Sequence, residues 1–471
     1  MTHNLELRGT APLPWLRHLG VLNDYVRIPY ANGSSFATQF LRREFLARGH
    51  DVTIVGPNDP DARREDMPDR HVLLKALPMR NHPGVHMPFP TRRELARVAA
   101  QRFDLVLGQT NTELTELGIW LRATQHVPFL CVNTLHLPSV YNVVLPDRLM
   151  RSALVRDFFD ESVVPWVEEH AAGIYNQSDG LIVLSSGLAK SWRARGVEVP
   201  IHVIPRSVEP KIFDRGEHDG DPFPAAAERG HRLLVVCRHS REKGVARLLE
   251  LFAREVASRD PRASLTLVGD GPDHDSFRVL AERLGIATRC FFLGEYPVTD
   301  VPRFYRHADL FVYTSLSETY GQVVSEAMWC GLPVIALADG MGVSDQVQDG
   351  QTGHLVQPGP DRARADAQFG ALVLRLLGCA DERRALGRAA ARAVHERAHP
   401  ARIISRYYEV FAQARQHCLA TIDARIAKPA AGWFALGRWS AVQSLAVGLG
   451  FVRKPGLVNR HGRRQPAWTA F

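Results

Sequence analysis

Short, nearly uninterrupted apolar runs recur along the chain, each giving way to a loop and then to a stretch of helical composition. In the first half they fall at residues 19–23, 51–56, 103–108, 128–132, 181–185 and 202–205. A parallel strand covered on both faces has no polar side, so it reads as a continuous run and not as an alternation. Residues 36–48 carry a helical pattern between the first two runs, which makes residues 19–56 a β-α-β opening. The second half repeats the arrangement, with runs at 233–237, 265–268, 291–294 and 310–314 and a strand start at Leu332-Pro333-Val334-Ile335. Residues 209–232 are rich in proline, glycine and charge, including Asp219-Gly220-Asp221-Pro222-Phe223-Pro224, and predict a linker. A repeat of roughly 20–50 residues, the mark of a solenoid, is absent. The pattern predicts an α/β protein of two units, residues 1–206 and 207–400, then a helix within 401–425 and a tail over 426–471.

Composition agrees with two domains. The chain has 471 residues, which suits two units of roughly 200 residues each. Its 45% hydrophobic and 23% charged content is ordinary for a soluble protein. The six cysteines, at 131, 237, 290, 330, 379 and 418, form no C-x-x-C pair and lie mostly in apolar runs. They read as buried free thiols of a reducing compartment. The start, Met1-Thr2-His3-Asn4-Leu5-Glu6-Leu7-Arg8, lacks the basic and apolar regions of a secretory signal, so a cytoplasmic location is expected.

The formal charge of +8 changes the picture at one end only. Arginines are spread along the helices without a nucleic-acid motif, so no nucleic-acid partner is expected. At the C-terminus, Arg453, Lys454, Arg460, Arg463 and Arg464 follow an apolar segment, residues 431–452, that contains Trp433 and Trp439. Arg438 inside that segment would cost about 2.5–3.5 kcal/mol at a bilayer centre. The segment is therefore expected to lie at an anionic membrane surface, on the cytoplasmic face, or to pack on the first unit.

Candidate chemistry concentrates after the strands of the second half. Arg238-His239-Ser240-Arg241-Glu242-Lys243-Gly244 follows the run at 233–237 and precedes an amphipathic helix. A guanidinium and an ammonium on such a turn suit a diphosphate, one as a fork and the other as a point charge. A solvated basic loop is the plainer alternative. Gly269-Asp270-Gly271-Pro272 and Phe292-Leu293-Gly294 follow the next two runs. After the run at 310–314 comes Ser315-Leu316-Ser317-Glu318-Thr319-Tyr320-Gly321-Gln322, with a second carboxylate, Glu326, in the helix beyond. Helix N-termini at the carboxyl edge of an open α/β sheet offer unpaired N–H groups to anions. Tyr320, Gly321 and Gln322 are thus candidate diphosphate donors, and Glu326 can accept hydrogen bonds from ribose hydroxyls. In the first half, Ser34 or Ser35 can cap the helix after Gly33. Asn23, Asp24 and Arg27 stand near the end of the first strand.

The ordered set Arg238…Lys243-Gly244, Gly269-Asp270-Gly271-Pro272, Phe292-Leu293-Gly294, Glu318-x7-Glu326 and Gly331-Leu332-Pro333-Val334 resembles the donor half of the retaining family-4 glycosyltransferases of the GT-B fold. The resemblance covers about residues 17 to 420. It implies two Rossmann-like domains facing each other across a cleft, with the helix after Pro400 crossing back to the first. It further implies that Arg238 and Lys243 hold the diphosphate of a sugar nucleotide, Glu326 its ribose and Glu318 the donor sugar. Gly294, Thr319, Tyr320, Gly321 and Gln322 line the donor site, and Gly33 faces the diphosphate from the first domain. Relatives carry a histidine directly after the strand at 128–132. Here Thr134 stands at that position and His136 two residues later, so either can take the role. The Leu137-Pro138 that follows is similar to the branch that glycosylates membrane lipids, such as diacylglycerol glycosyltransferases and sulfoquinovosyltransferases. The resemblance thus points to catalytic roles for His136, Arg238, Lys243 and Glu318 and to a lipid or carbohydrate acceptor. Asp219-Gly220-Asp221 lies in the linker and is followed by proline, so no metal and no cofactor are expected.

Overall fold

The computed structural model describes residues 12–26, 33–78, 86–110, 114–134, 153–214, 220–227 and 230–422. His136, Arg27 and the tail over 426–471 lie outside them. The first unit is built on a parallel sheet of seven strands. These are β1 (His18–Asn23), β2 (Asp51–Pro57), β3 (His71–Leu74), β6 (Leu105–Gln109), β7 (Phe129–Val132), β8 (Leu181–Val183) and β9 (Ile201–Val203). Their order is β3-β2-β1-β6-β7-β8-β9. A small antiparallel pair, β4 (Ala76–Pro78) with β5 (His86–Pro88), stands beside it. β1, β6 and β7 are buried almost along their whole length, which is why they read as continuous apolar runs.

The second sheet is also parallel. It holds β10 (His231–Val236), β11 (Ala263–Val268), β12 (Cys290–Gly294), β13 (Leu310–Tyr313), β14 (Val334–Leu337) and β15 (Gly353–Val356), in the order β12-β11-β10-β13-β14-β15. In each sheet the first strand is central and the chain moves to one side before the other. That places a crevice at the carboxyl ends beside β1 and beside β10.

Four sequence expectations are corrected. The first long helix spans Gly33–Leu46, so Ser34 and Ser35 lie inside its first turn and neither is the residue before it. Residues 209–232 are not a free linker. Ile212, Phe213 and Phe223 are buried in the core of the second unit, because three large apolar side chains outweigh the loop-like residues around them. The helix expected within 401–425 starts one residue earlier and ends sooner, at Pro400–Ala420. Cys379 is exposed, although Cys131, Cys237, Cys290 and Cys418 are buried.

The Pro400–Ala420 helix starts with proline at its first turn, where the missing N–H costs nothing. Its buried face, Ile403, Ile404, Tyr407, Tyr408, Phe411 and Ala414, packs with Leu19, Val21 and Phe45 of the first unit. The chain therefore passes between the units twice, near 207 and near 399. The two passages touch: Val208 N donates to Ala398 O at 3.2 Å and Ser207 Oγ to the same oxygen at 3.0 Å. Further contacts join the units at Arg43 Nη2 to Glu209 Oε1, 2.8 Å. Among the described residues no helix is long and apolar enough to cross a membrane.

Candidate active site

β10 and β13 are neighbours in the sheet, with Leu233 opposite Leu310 and Leu234 opposite Phe311. Their loops therefore leave the same edge side by side. After β10 the chain makes a tight turn over Arg241–Lys243 and reaches Gly244 at φ 69°, then enters the Val245–Leu251 helix. A side chain at Gly244 would also stand 2.5 Å from the Thr314 carbonyl, so this turn needs glycine twice over. The turn brings Lys243 Nζ to 2.6 Å from Glu318 Oε1, across 75 residues of sequence. Tyr313 OH donates to the same oxygen at 2.8 Å and Ser315 Oγ at 2.7 Å.

Burial acts against charge on both partners, and the pairing overrides it. The Glu318 carboxyl would be raised by desolvation, but the Lys243 ammonium and three hydrogen bonds hold it below the usual carboxylate range. Desolvation would lower Lys243, but the Glu318 charge holds it above the ordinary lysine value. Both groups are thus ionised at neutral pH.

Glu326 lies in the Gln322–Trp329 helix, whose N-cap is Gly321 at φ 78°. It accepts a hydrogen bond from Tyr305 OH at 3.0 Å. Here no cation opposes desolvation, and burial pushes the carboxyl up to about 7 against partial relief from Tyr305 and Gln322. The Gly321 loop is braced from behind: Tyr320 OH meets Ser325 Oγ at 2.8 Å, and Gln346 Nε2 donates to Tyr320 O and, at 3.2 Å, to Gly321 O. The first-turn amides of this helix stand at the sheet edge, where an anion is favoured.

The neighbouring loops complete that edge. Gly269 N donates to Gly294 O at 2.7 Å, and His239 N to Asp270 O at 2.9 Å. His239 and His274 are stacked with their Nδ1 atoms 2.9 Å apart, and Phe292 meets both rings edge-on. Burial, with the His274 charge second, depresses His239 to about 4, so it is neutral. Arg238 is exposed on the same loop.

Arg238, Lys243 and residues 318–321 thus lie on adjoining loops of one sheet edge, with Gln322 and Glu326 in the helix that follows and Gly294 at the end of β12 beside them. Gly33 opens the first helix of the other unit, and that helix's Thr38 Oγ1 accepts from Asn23 Nδ2 at 2.9 Å. From the first unit, Thr134 O accepts a hydrogen bond from Thr319 Oγ1 at 3.3 Å. This contact joins the strand end before the His136 position to the Glu318 loop. Tyr305, Tyr313, Ser315 and Gln346 were not singled out from the sequence. Tyr313 and Ser315 flank the Glu318 motif and were within reach of such a reading, whereas Tyr305 and Gln346 become partners only through packing. Among the described residues no group of three or more His, Cys, Asp or Glu side chains is arranged to hold a metal ion.

Comparison with known families agrees with this geometry. Residues 31–211 match the Glycosyltransferase Family 4 description and residues 221–393 match Glycosyl transferases group 1. The chain belongs to the GT-B glycosyltransferases of group 1 and family 4.

Within this family, it is 25% identical over 328 residues to an alpha-monoglucosyldiacylglycerol synthase of Streptococcus pneumoniae, covering 68% of this chain and 70% of that one. It is 42% identical over 304 residues to a D-inositol 3-phosphate glycosyltransferase of Nocardia farcinica, covering 63% of each. A shorter match, 38% over 119 residues, is to the sulfoquinovosyl transferase SQD2 of Arabidopsis thaliana, covering 25% of this chain and 22% of that one. Among solved structures, Anabaena HepE in complex with UDP and glucose superposes with a TM-score of 0.61 at 17% identity, over 84% of this chain and 99% of that one. The sucrose-phosphate synthase of Thermosynechococcus elongatus gives 0.60 at 22% identity, over 84% and 98%. The two facing parallel-sheet domains are therefore those of a GT-B protein.

Proposed function

We propose that this GT-B glycosyltransferase moves a hexose-type sugar from a nucleotide-diphosphate sugar to a hydroxyl of a membrane lipid such as diacylglycerol, with retention at the anomeric carbon and without a metal ion. The observation that carries the reading is the Lys243–Glu318 ion pair, its carboxylate buried and its ammonium partly exposed, at the junction of two strand-to-helix loops, with Glu326 in the helix beyond. Lys243, Arg238 and the amides of Tyr320, Gly321 and Gln322 would hold the diphosphate and stabilise the charge that builds on it as the glycosidic bond breaks. Glu326 would accept from the ribose hydroxyls. Glu318, kept ionised, would orient the donor sugar and stabilise its cationic transition state. His136 or Thr134 would approach the sugar from the first domain, whose Thr134 meets the Glu318 loop. Transfer on one face of the sugar, without a covalent enzyme intermediate, matches the family resemblance.

The lipid acceptor is supported by the names of two relatives, a diacylglycerol-linked synthase and a sulfoquinovosyl transferase. It is also supported by Leu154, Phe158 and Trp166, large apolar side chains exposed along one helical stretch of the first domain. Peripheral attachment to the cytoplasmic membrane face is part of this reading. A second reading has its own support: the relative at 42% identity is named for a small phosphorylated polyol, which makes a soluble acceptor the alternative.

Purified protein incubated with liposomes and each common UDP- or GDP-sugar, followed by mass spectrometry of the lipid fraction, decides between them. A new glycolipid supports the lipid reading. Nucleotide release without a lipid product moves the acceptor into solution, and no turnover of any donor overturns the transferase reading in favour of sugar-nucleotide binding alone.

A further inference from the structure

Apart from the Thr319–Thr134 contact, the two domains touch at a second place on their facing edges. The Asp345 carboxylate accepts from the backbone N–H of Ser186 and, at 2.6 Å, from Ser186 Oγ. Ser186 opens the Ser186–Ala194 helix that follows β8 in the first domain. Asp345 belongs to the short Gly342–Gln346 helix that follows β14 in the second. The N-cap Ser185 already accepts from Leu188 N at 3.3 Å, so the opposite domain supplies a further acceptor to the same helix end. An anion there is favoured by the unpaired amides and by the helix dipole. The approach is close enough to demand glycine: a Cβ at Gly187 would sit 2.1 Å from Gly340 O and 2.8 Å from Met341 Cα.

On its inner side the same short helix is fastened to the donor loop. Gln346, adjacent to Asp345, donates to the carbonyls of Tyr320 and Gly321 and accepts from Ser325 Oγ at 2.5 Å. Gly342 N donates to Glu318 O at 3.0 Å, and a Cβ at Gly342 would strike the Tyr320 backbone at 2.5 Å. Residues 342–346 therefore form a wedge with the first domain on one side and the Glu318–Gly321 loop on the other.

We propose that Asp345 is a positioning residue for transfer: its hold on Ser186 fixes the first domain over the donor loop at the separation that sugar transfer needs. The proposal rests on the glycosyltransferase reading above, but it assigns a residue outside the groups given there to the donor and the acceptor. The contact joins the domains, whereas every second-domain group assigned to the nucleotide lies on one side of it. Loosening it should spoil transfer and spare nucleotide binding.

The test uses the full chain with Asp345→Ala, Asp345→Asn and Asp345→Glu. UDP and GDP affinities by calorimetry should stay within about twofold of the parent, while kcat for transfer falls by about tenfold or more in Asp345→Ala, as expected when reacting groups lose their alignment. Asp345→Asn, which keeps one acceptor oxygen, and Asp345→Glu, which keeps the charge, should each recover part of that loss. Small-angle scattering without nucleotide should show a larger radius of gyration for Asp345→Ala, with an unchanged thermal midpoint for each domain. Unaltered kcat and scattering, or a loss confined to nucleotide affinity, would overturn the proposal. If the parent chain binds no nucleotide, the donor-site reading fails, and the domain hold is judged by scattering alone.

Discussion

Lys243 and Glu318 are each other's counter-ions until a donor brings its own charge. Replacing Lys243 with alanine leaves a buried carboxylate facing only hydroxyls and removes the cation from the leaving diphosphate. Transfer is expected to fall by about 100-fold or more, read as product per enzyme by mass spectrometry. Unchanged turnover would remove Lys243 from the site. Glu326 makes a prediction about pH. Its carboxyl is raised from the ordinary 4.5 to about 7, so the folded chain binds this proton more tightly than the unfolded chain. The resulting stability is fully present below about pH 4.5 and is lost as pH rises through about 7, a contribution of up to about 3 kcal/mol. Denaturant unfolding of the parent and of Glu326→Gln between about pH 5 and about pH 8 should show the parent losing ground to the variant over that interval. A pH-independent difference would mean that this carboxyl titrates as an exposed one does.

At the scale of elements, what could be read from the chain depended on how local each cause is. The buried strands were legible because β6, β7 and β13 run apolar from one face to the other with little to interrupt them. Arg238, Lys243, Glu318 and Glu326 were legible as motif positions, but not that Lys243 and Glu318 share one oxygen with Tyr313 and Ser315, since this depends on β10 and β13 being neighbours. The start of the first helix was misplaced because Gly33 is a weak helix former and the serines after it suit a cap. Ile212, Phe213 and Phe223 were misread because local turn chemistry was weighed above isolated apolar anchors. Two substitutions test the elements themselves. Gly244→Ala forces a side chain into a positive φ and against the Thr314 carbonyl, so it should cost more than about 1 kcal/mol in urea unfolding and weaken UDP binding with it. Phe411→Ala, at a fully buried position of the crossover helix, should cost about 3–5 kcal/mol by the same measurement while leaving the donor-side residues in place. An effect within about 0.5 kcal/mol would mean that the crossover helix is not anchored as described.

For the whole molecule, the excess of positive charge bears on where the enzyme works. With a formal charge of +8, attachment to vesicles containing anionic lipid should be strong at low salt and should fade towards about 1 M salt, where the Debye length is about 3 Å. Co-sedimentation across a salt series reads this directly; retention that ignores salt would assign the attachment to apolar side chains such as Leu154, Phe158 and Trp166 instead. The double passage of the chain between the domains sets the kinematics of any motion. Two strands of backbone, bonded to each other at Val208 and Ala398, form one pivot and not two separated tethers. Such a pivot resists sliding and separation of the halves but leaves rotation about itself cheap. The molecule is thus built as a jaw with one pivot and a latch, opening by rotation only when the Asp345–Ser186 and Thr319–Thr134 contacts part, so a donor loaded with the jaw ajar meets the same acceptor surface each time the latch closes.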